Sequence, residues 1–135
     1  MNNAAVAVII KNGMILSVSR YNGLYGLPGG KQEKDESIEE TVIREVYEES
    51  GAMIKSFSLL FHEIVKSKHQ NGIDFNVHCF YADNVDFQNF GNSKENLTLK
   101  FVTVSDLCKP PFEFIDFNVK TINLLIQNHK VNLKW

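Results

Sequence analysis

Residues 27–52 read LPGGKQEKDESIEETVIREVYEESGA, a proline–glycine turn leading into a run with helical spacing. Ser37 stands where an N-cap belongs, Glu39 and Glu40 fill the first turn, and Gly51 suits the C-terminal cap. The pattern predicts a helix from Ser37 to Ser50. At about 100° per residue, Ile38, Val42 and Val46 form its apolar stripe. Glu45, Glu48 and Glu49 share one sector of roughly 100°, and Glu49 projects where the stripe also points. Surface helices ordinarily keep such sectors apart.

Carboxylates crowded at the edge of a buried face repel one another and lose hydration, which drives them to take up protons unless something compensates. A hard divalent cation compensates, and an all-oxygen set suits Mg²⁺ or Mn²⁺ better than Zn²⁺. The competing reading is a solvated acidic face supported by Arg44, four residues from both Glu40 and Glu48. Helix geometry alone leaves both open.

Spacing separates them. Gly30 is followed after five residues by Glu36, and after seven more by Arg44-Glu45-Val46-Tyr47-Glu48-Glu49-Ser50-Gly51-Ala52. This resembles the signature box of the Nudix hydrolases: Gly, five, Glu, seven, Arg-Glu, aliphatic, any, Glu-Glu, any, Gly, aliphatic. All seven fixed identities are met, a coincidence on the order of 10⁻⁸ per start position at ordinary residue frequencies. Ala52 is smaller than the usual closing aliphatic. The lead-in Tyr25-Gly26-Leu27-Pro28-Gly29-Gly30-Lys31 is similar to the family's aromatic-Gly-Leu-Pro-Gly-Gly entry.

The resemblance implies roles. Glu45, Glu48 and Glu49 match the positions that hold the metal and serve catalysis, and Glu36 matches the loop glutamate that assists it. Arg44 matches the arginine that orients these carboxylates. Gly29 and Gly30 would let the backbone approach the ion, with a Gly29 carbonyl as a further ligand; a plain turn is the alternative for each. The proton of the attacking water would go to Glu48, to Glu49, or to a glutamate outside the box such as Glu95, just before a late strand. A solvated loop carboxylate is the simpler reading of Glu95.

Other residues are candidates for substrate. Arg20, at the end of the second strand, and Lys31, beside the glycines, have the charge to reach phosphate oxygens. A base needs an aromatic platform, for which Tyr25, Phe61, Tyr81, Phe112 and Phe114 are available, and Asp116 or Asn118 could read a base edge. Each of these serves equally as core or surface. The four histidines form no spaced ligand set.

Outward from the box, residues 4–10 and 14–19 are short and β-branched around Asn12-Gly13, which predicts a hairpin with a type I′ turn. A short strand is expected over Leu24–Leu27, ended by Pro28-Gly29-Gly30. Two long strands are expected over 52–66 and 72–82, joined by a turn at His69-Gln70-Asn71-Gly72. The loop 83–96 follows, then a strand over Leu97–Val104, a break at Pro110-Pro111, and an amphipathic helix over Asp116–Asn128. This order resembles the family's α/β/α sandwich with a mixed β-sheet. No linker or repeat interrupts it, so residues 1–135 read as a single domain.

Composition agrees with a globular chain: 135 residues, 44% hydrophobic, 22% charged, with ten Phe and four Tyr to build a core. The formal charge of -2 argues against a nucleic-acid duplex as partner, while a bound cation still permits an anionic small molecule. Cys79 and Cys108 lack the spacing of a zinc site or a disulfide framework. The apolar run 4–10 is too short to span a membrane and makes a poor signal peptide, so a cytoplasmic setting is expected.

Three functions compete. The first is hydrolysis of a nucleoside triphosphate, as by MutT-like enzymes. The second is pyrophosphatase action on ADP-ribose, a dinucleotide or a nucleotide sugar. The third is a non-catalytic nucleotide sensor, which an intact box disfavours. Monomer and homodimer are both compatible with the sequence.

Overall fold

The computed structural model describes residues 2–21, 23–66, 72–95 and 97–135, apart from the side chains of Arg20 and Tyr21. β1 (Asn2–Lys11) and β2 (Met14–Tyr21) form the expected hairpin. Asn12 and Gly13 turn it with φ of 53° and 79°, setting Lys11 opposite Met14. The turn expected at 69–72 falls on residues outside this description, except for Gly72.

β1 is the axis of the molecule. Along one side it pairs in parallel with β6 (Asp74–Asp86), from Asn2–Phe75 to Ile9–Ala82. Along the other it pairs first with β4 (Gly29–Lys31) and then with β2. β3 (Leu24–Gly26) and β7 (Thr98–Val102) flank β2, and β5 (Met53–Lys66) pairs with β6. The result is a seven-stranded mixed sheet.

Because successive strand residues face opposite sides, β1 feeds two cores. Ala5, Ala7 and Ile9 pack under Val42 and Val46 of α1 (Ile38–Ser50). Val8 packs on the other side with Phe117, Ile122 and Leu125 of α3 (Ile115–Asn128). This is the expected α/β/α arrangement. Ser37 caps α1 in a capping box with Glu40, and Gly51 closes it in a left-handed conformation.

The structure departs from the sequence reading at several places. The glycines expected to end a strand form one themselves, β4, because they lie in register against Ala4–Val6. β6 continues past residue 82 to Asp86, since Val85 pairs with Ile54 and packs on the α1-side core. The following loop therefore starts later. The late strand stops at Val102, and Val104–Leu107 forms a short helix, α2, capped reciprocally by Thr103 and Asp106. No helix among the described residues is long and apolar enough to cross a membrane.

Candidate active site

The pairing of β4 with β1 explains the two glycines. Gly29 has φ of +148°, and a Cβ there would lie 1.9 Å from the Ala5 carbonyl oxygen, so only glycine permits this register. A Cβ on Gly30 would instead meet the Glu45 carboxyl carbon at 2.5 Å. The bare backbone at Gly30 is thus the seat of the Glu45 carboxylate. The sequence attributed both glycines to approach of an ion or to a turn; their immediate neighbours are β1 and Glu45.

Carboxylate oxygens of Glu45, Glu48 and Glu95, one from each, lie within 4.8 Å of one another. An octahedral ion with oxygen ligands at about 2.1 Å spans about 4.2 Å between opposite ligands. The cluster is therefore near the size that a divalent cation would close, and its chemistry is all oxygen. Burial pushes the Glu45 carboxyl above its usual range; Arg44 opposes that, and the charges of Glu48 and Glu95 add to it.

Arg44 organises the cluster from behind. Its Nε donates to Glu36 Oε2 at 2.6 Å and its Nη2 to Glu36 Oε1 at 3.0 Å. Its Nη1 donates to Glu45 at 2.8 Å and Glu48 at 3.3 Å, and Nη2 also reaches the Lys31 carbonyl at 3.1 Å. Glu40, the other expected partner of Arg44, is spent on the Ser37 cap. Glu36 accepts further hydrogen bonds from the Glu33 amide and the Thr41 hydroxyl. The Arg44 fork holds the Glu36 carboxyl down at about 2. With both oxygens engaged, Glu36 supports Arg44 and is not among the converging carboxylates.

Glu49 also stands apart from them. It is 2% exposed, as its place on the apolar stripe demands. Its Oε1 accepts the Gly29 amide at 2.8 Å, so an N–H donor meets this buried carboxyl group. Glu45, Glu49 and Glu95 are among the residues that line a cavity of about 490 Å³.

The same cavity is lined by the rings of Phe75, Phe114 and Phe117, by Glu113 and by the amide of Asn118. Asn118 gives its Nδ2 hydrogens to the carbonyls of Leu107 and Glu113 at 3.0 and 2.9 Å, leaving its oxygen as an acceptor. Lys31 lines the wall with Nζ 5.5 Å above the Phe75 ring. Of the expected platforms, only Phe114 borders this cavity. Tyr25 packs on Phe112, Phe61 on Phe117 and Tyr81 on His129. Asp116 lines a neighbouring groove. The Arg20 side chain lies outside the described residues. Phe75, Glu113 and Phe117 were missed: Phe117 reads as part of a helical core stripe, and Phe75 gains its place only from pairing with Asn2 and Val65.

The helix α1 thus presents, beside the glycine strand, carboxylate oxygens grouped with that of Glu95 closely enough that they could hold a metal ion. The family model of the NUDIX domain matches residues 1–125. The chain belongs to this family of hydrolases. It is 33% identical over 110 residues to an uncharacterised Nudix hydrolase, YvcI, of Bacillus subtilis, covering 76% of this chain and 69% of that one. It is 43% identical over 61 residues to an ADP-ribose pyrophosphatase of Methanocaldococcus jannaschii, covering 42% of this chain and 36% of that one. The MutT protein of Methanosarcina mazei Go1 superposes with a TM-score of 0.76 over 96% of both chains at 22% identity, a likeness of fold.

Proposed function

We propose that the protein hydrolyses a phosphoanhydride bond in a nucleoside diphosphate derivative, with Mg²⁺ as its ion and Mn²⁺ as a substitute. The observation that carries this reading is the convergence of Glu45, Glu48 and Glu95, of which Glu45 and Glu95 also line the cavity. These three would hold the cation, Glu49 would flank it from the Gly29 side, and Arg44 with Glu36 would fix the ring. When bound, the cation polarises the phosphate and neutralises charge developing on it. Water attacks phosphorus, its proton passes to a carboxylate of this cluster, and the anhydride P–O bond breaks with its electrons on the leaving phosphate. Lys31, on the cavity wall, would meet phosphate oxygens. The base would rest among Phe75, Phe114 and Phe117, with a donor group of the base facing the Asn118 oxygen.

A nucleoside triphosphate is the first reading of the substrate. ADP-ribose is the second, favoured by the relative of that activity whose match extends over 61 residues. A hydrolysis panel with Mg²⁺ tests both, covering ordinary and oxidised nucleoside triphosphates, ADP-ribose, NADH, dinucleoside polyphosphates and nucleotide sugars. Turnover of one class above all others is expected. Absence of turnover on every member would overturn the reading.

A further inference from the structure

The loop between β6 and β7 is tied to the C-terminal end of α1. A helix leaves its last carbonyls without partners of its own. In α1 two of these are taken by the loop: the Gly91 amide donates to Ser50 O at 2.8 Å and the Lys94 amide to Glu48 O at 3.0 Å. Gly51 allows the approach, since a Cβ there would lie 2.0 Å from the Asn89 carbonyl oxygen. Phe87 and Phe90 secure the start of the loop against Phe101 at 6.4 and 5.6 Å between rings.

One hydroxyl joins helix and loop at the cluster itself. Ser93 Oγ accepts the Glu95 amide at 3.0 Å, and its proton faces the carbonyls of Glu48, at 3.2 Å, and Glu95. The backbones of two of the three converging glutamates thus meet on one side chain.

We infer that Ser93 is a positioning residue that holds Glu95 in the carboxylate cluster through this hydroxyl latch. The inference rests on the reading of that cluster as a cation site. Without the latch, Glu95 is held near α1 only through its neighbour Lys94, whose amide still reaches the Glu48 carbonyl, and its share of cation binding falls. Ser93 need touch neither ion nor substrate to exert this effect.

The test is a double-mutant cycle on Mn²⁺ affinity, comparing wild type, Ser93→Ala, Glu95→Gln and the double variant, without nucleotide. Ser93→Ala is expected to weaken Mn²⁺ binding about tenfold, the scale for losing a group that orients a ligand. The double variant is expected to bind no more weakly than Glu95→Gln alone, because the latch acts through Glu95. In the metal-free protein, amide exchange at Glu95 is expected to speed up about fivefold in Ser93→Ala, the scale of one lost hydrogen bond. Wild-type Mn²⁺ affinity in Ser93→Ala, or an undiminished loss in the Glu95→Gln background, overturns the inference. Hydrolysis is measured on the same proteins: no turnover with the Mn²⁺ coupling intact defeats the hydrolase reading and leaves the latch standing.

Discussion

The Gly29 amide donates to Glu49 Oε1 at 2.8 Å, joining the glycine strand to the one glutamate that α1 turns into its buried face. Glutamine at position 49 keeps the accepting oxygen and loses the charge. Glu49→Gln is therefore expected to melt within a degree or two of wild type without metal, while turnover falls by at least about 100-fold. Glu49→Ala removes the acceptor from a buried amide and is expected to lose about 1–3 kcal/mol of stability as well. Wild-type turnover in Glu49→Gln would refute the catalytic role.

The neighbouring glycines should fail in different ways. Gly29→Ala drives a Cβ into the Ala5 backbone at an unfavourable φ, so the protein is expected to be strongly destabilised or insoluble. The nearest atoms that Gly30→Ala meets are those at the end of the Glu45 side chain. That chain can move, so the melting temperature should hold while Mn²⁺ affinity and turnover collapse. Calorimetry and Mn²⁺ titration on the two variants distinguish these outcomes; equal melting temperatures would contradict the assignment.

Glu36 gives the protein an acid sensitivity of defined sign. Its carboxyl is held at about 2 when folded, against an ordinary 4.5. Between those values the unfolded chain binds a proton that the folded one does not, so stability falls as pH falls through that window. Above it the contribution is fully present. Melting of wild type and Glu36→Gln in EDTA should show the largest difference near neutrality and a shrinking one from about pH 4.5 to 2. A constant difference would mean that the Arg44 pairing does not exist in solution.

Metal removal separates a cation site from an acidic surface. EDTA is expected to abolish hydrolysis, and Mg²⁺ or Mn²⁺ to restore it. Added Mg²⁺ should raise the melting temperature of wild type by mass action, and that of Glu95→Gln much less. The same variant should lose about 100-fold or more in kcat. A loss under about threefold would return Glu95 to the solvated loop.

The helix, its caps and the first hairpin were legible because their signals are local: Ser37, Gly51 and Asn12-Gly13 each specify their own backbone. The fold class followed from the order of elements together with the family resemblance. What local pattern could not carry was pairing. Gly29–Lys31 has no strand signal in itself and becomes β4 only against Ala4–Val6. Val85 lies beyond the visible alternation yet joins β6 by pairing with Ile54. At the site, helical spacing already sets Glu45 and Glu48 beside Arg44, whereas the pairing of Glu36 with Arg44 is a contact between loop and helix that no helical wheel displays. Tyr25, an expected platform, packs on Phe112, and Phe75, which carries no signal of its own, borders the cavity, because cavity walls depend on which strands lie side by side.

The central position of β1 shapes how the chain emerges from a ribosome. Residues 2–11 find β2 and the glycine strand within the first 31 residues, but their parallel partner arrives only with residues 75–82. Until then Val6, Val8 and Ile9 sit on a strand with one edge bare, the kind of edge that recruits other chains. Once that partner arrives, closure over more than 70 residues is slow relative to hairpin formation. Any aggregation during synthesis is therefore expected to depend on the delay before β6 appears, and insertions between β1 and β6 should lower soluble yield even where they spare every residue of the site.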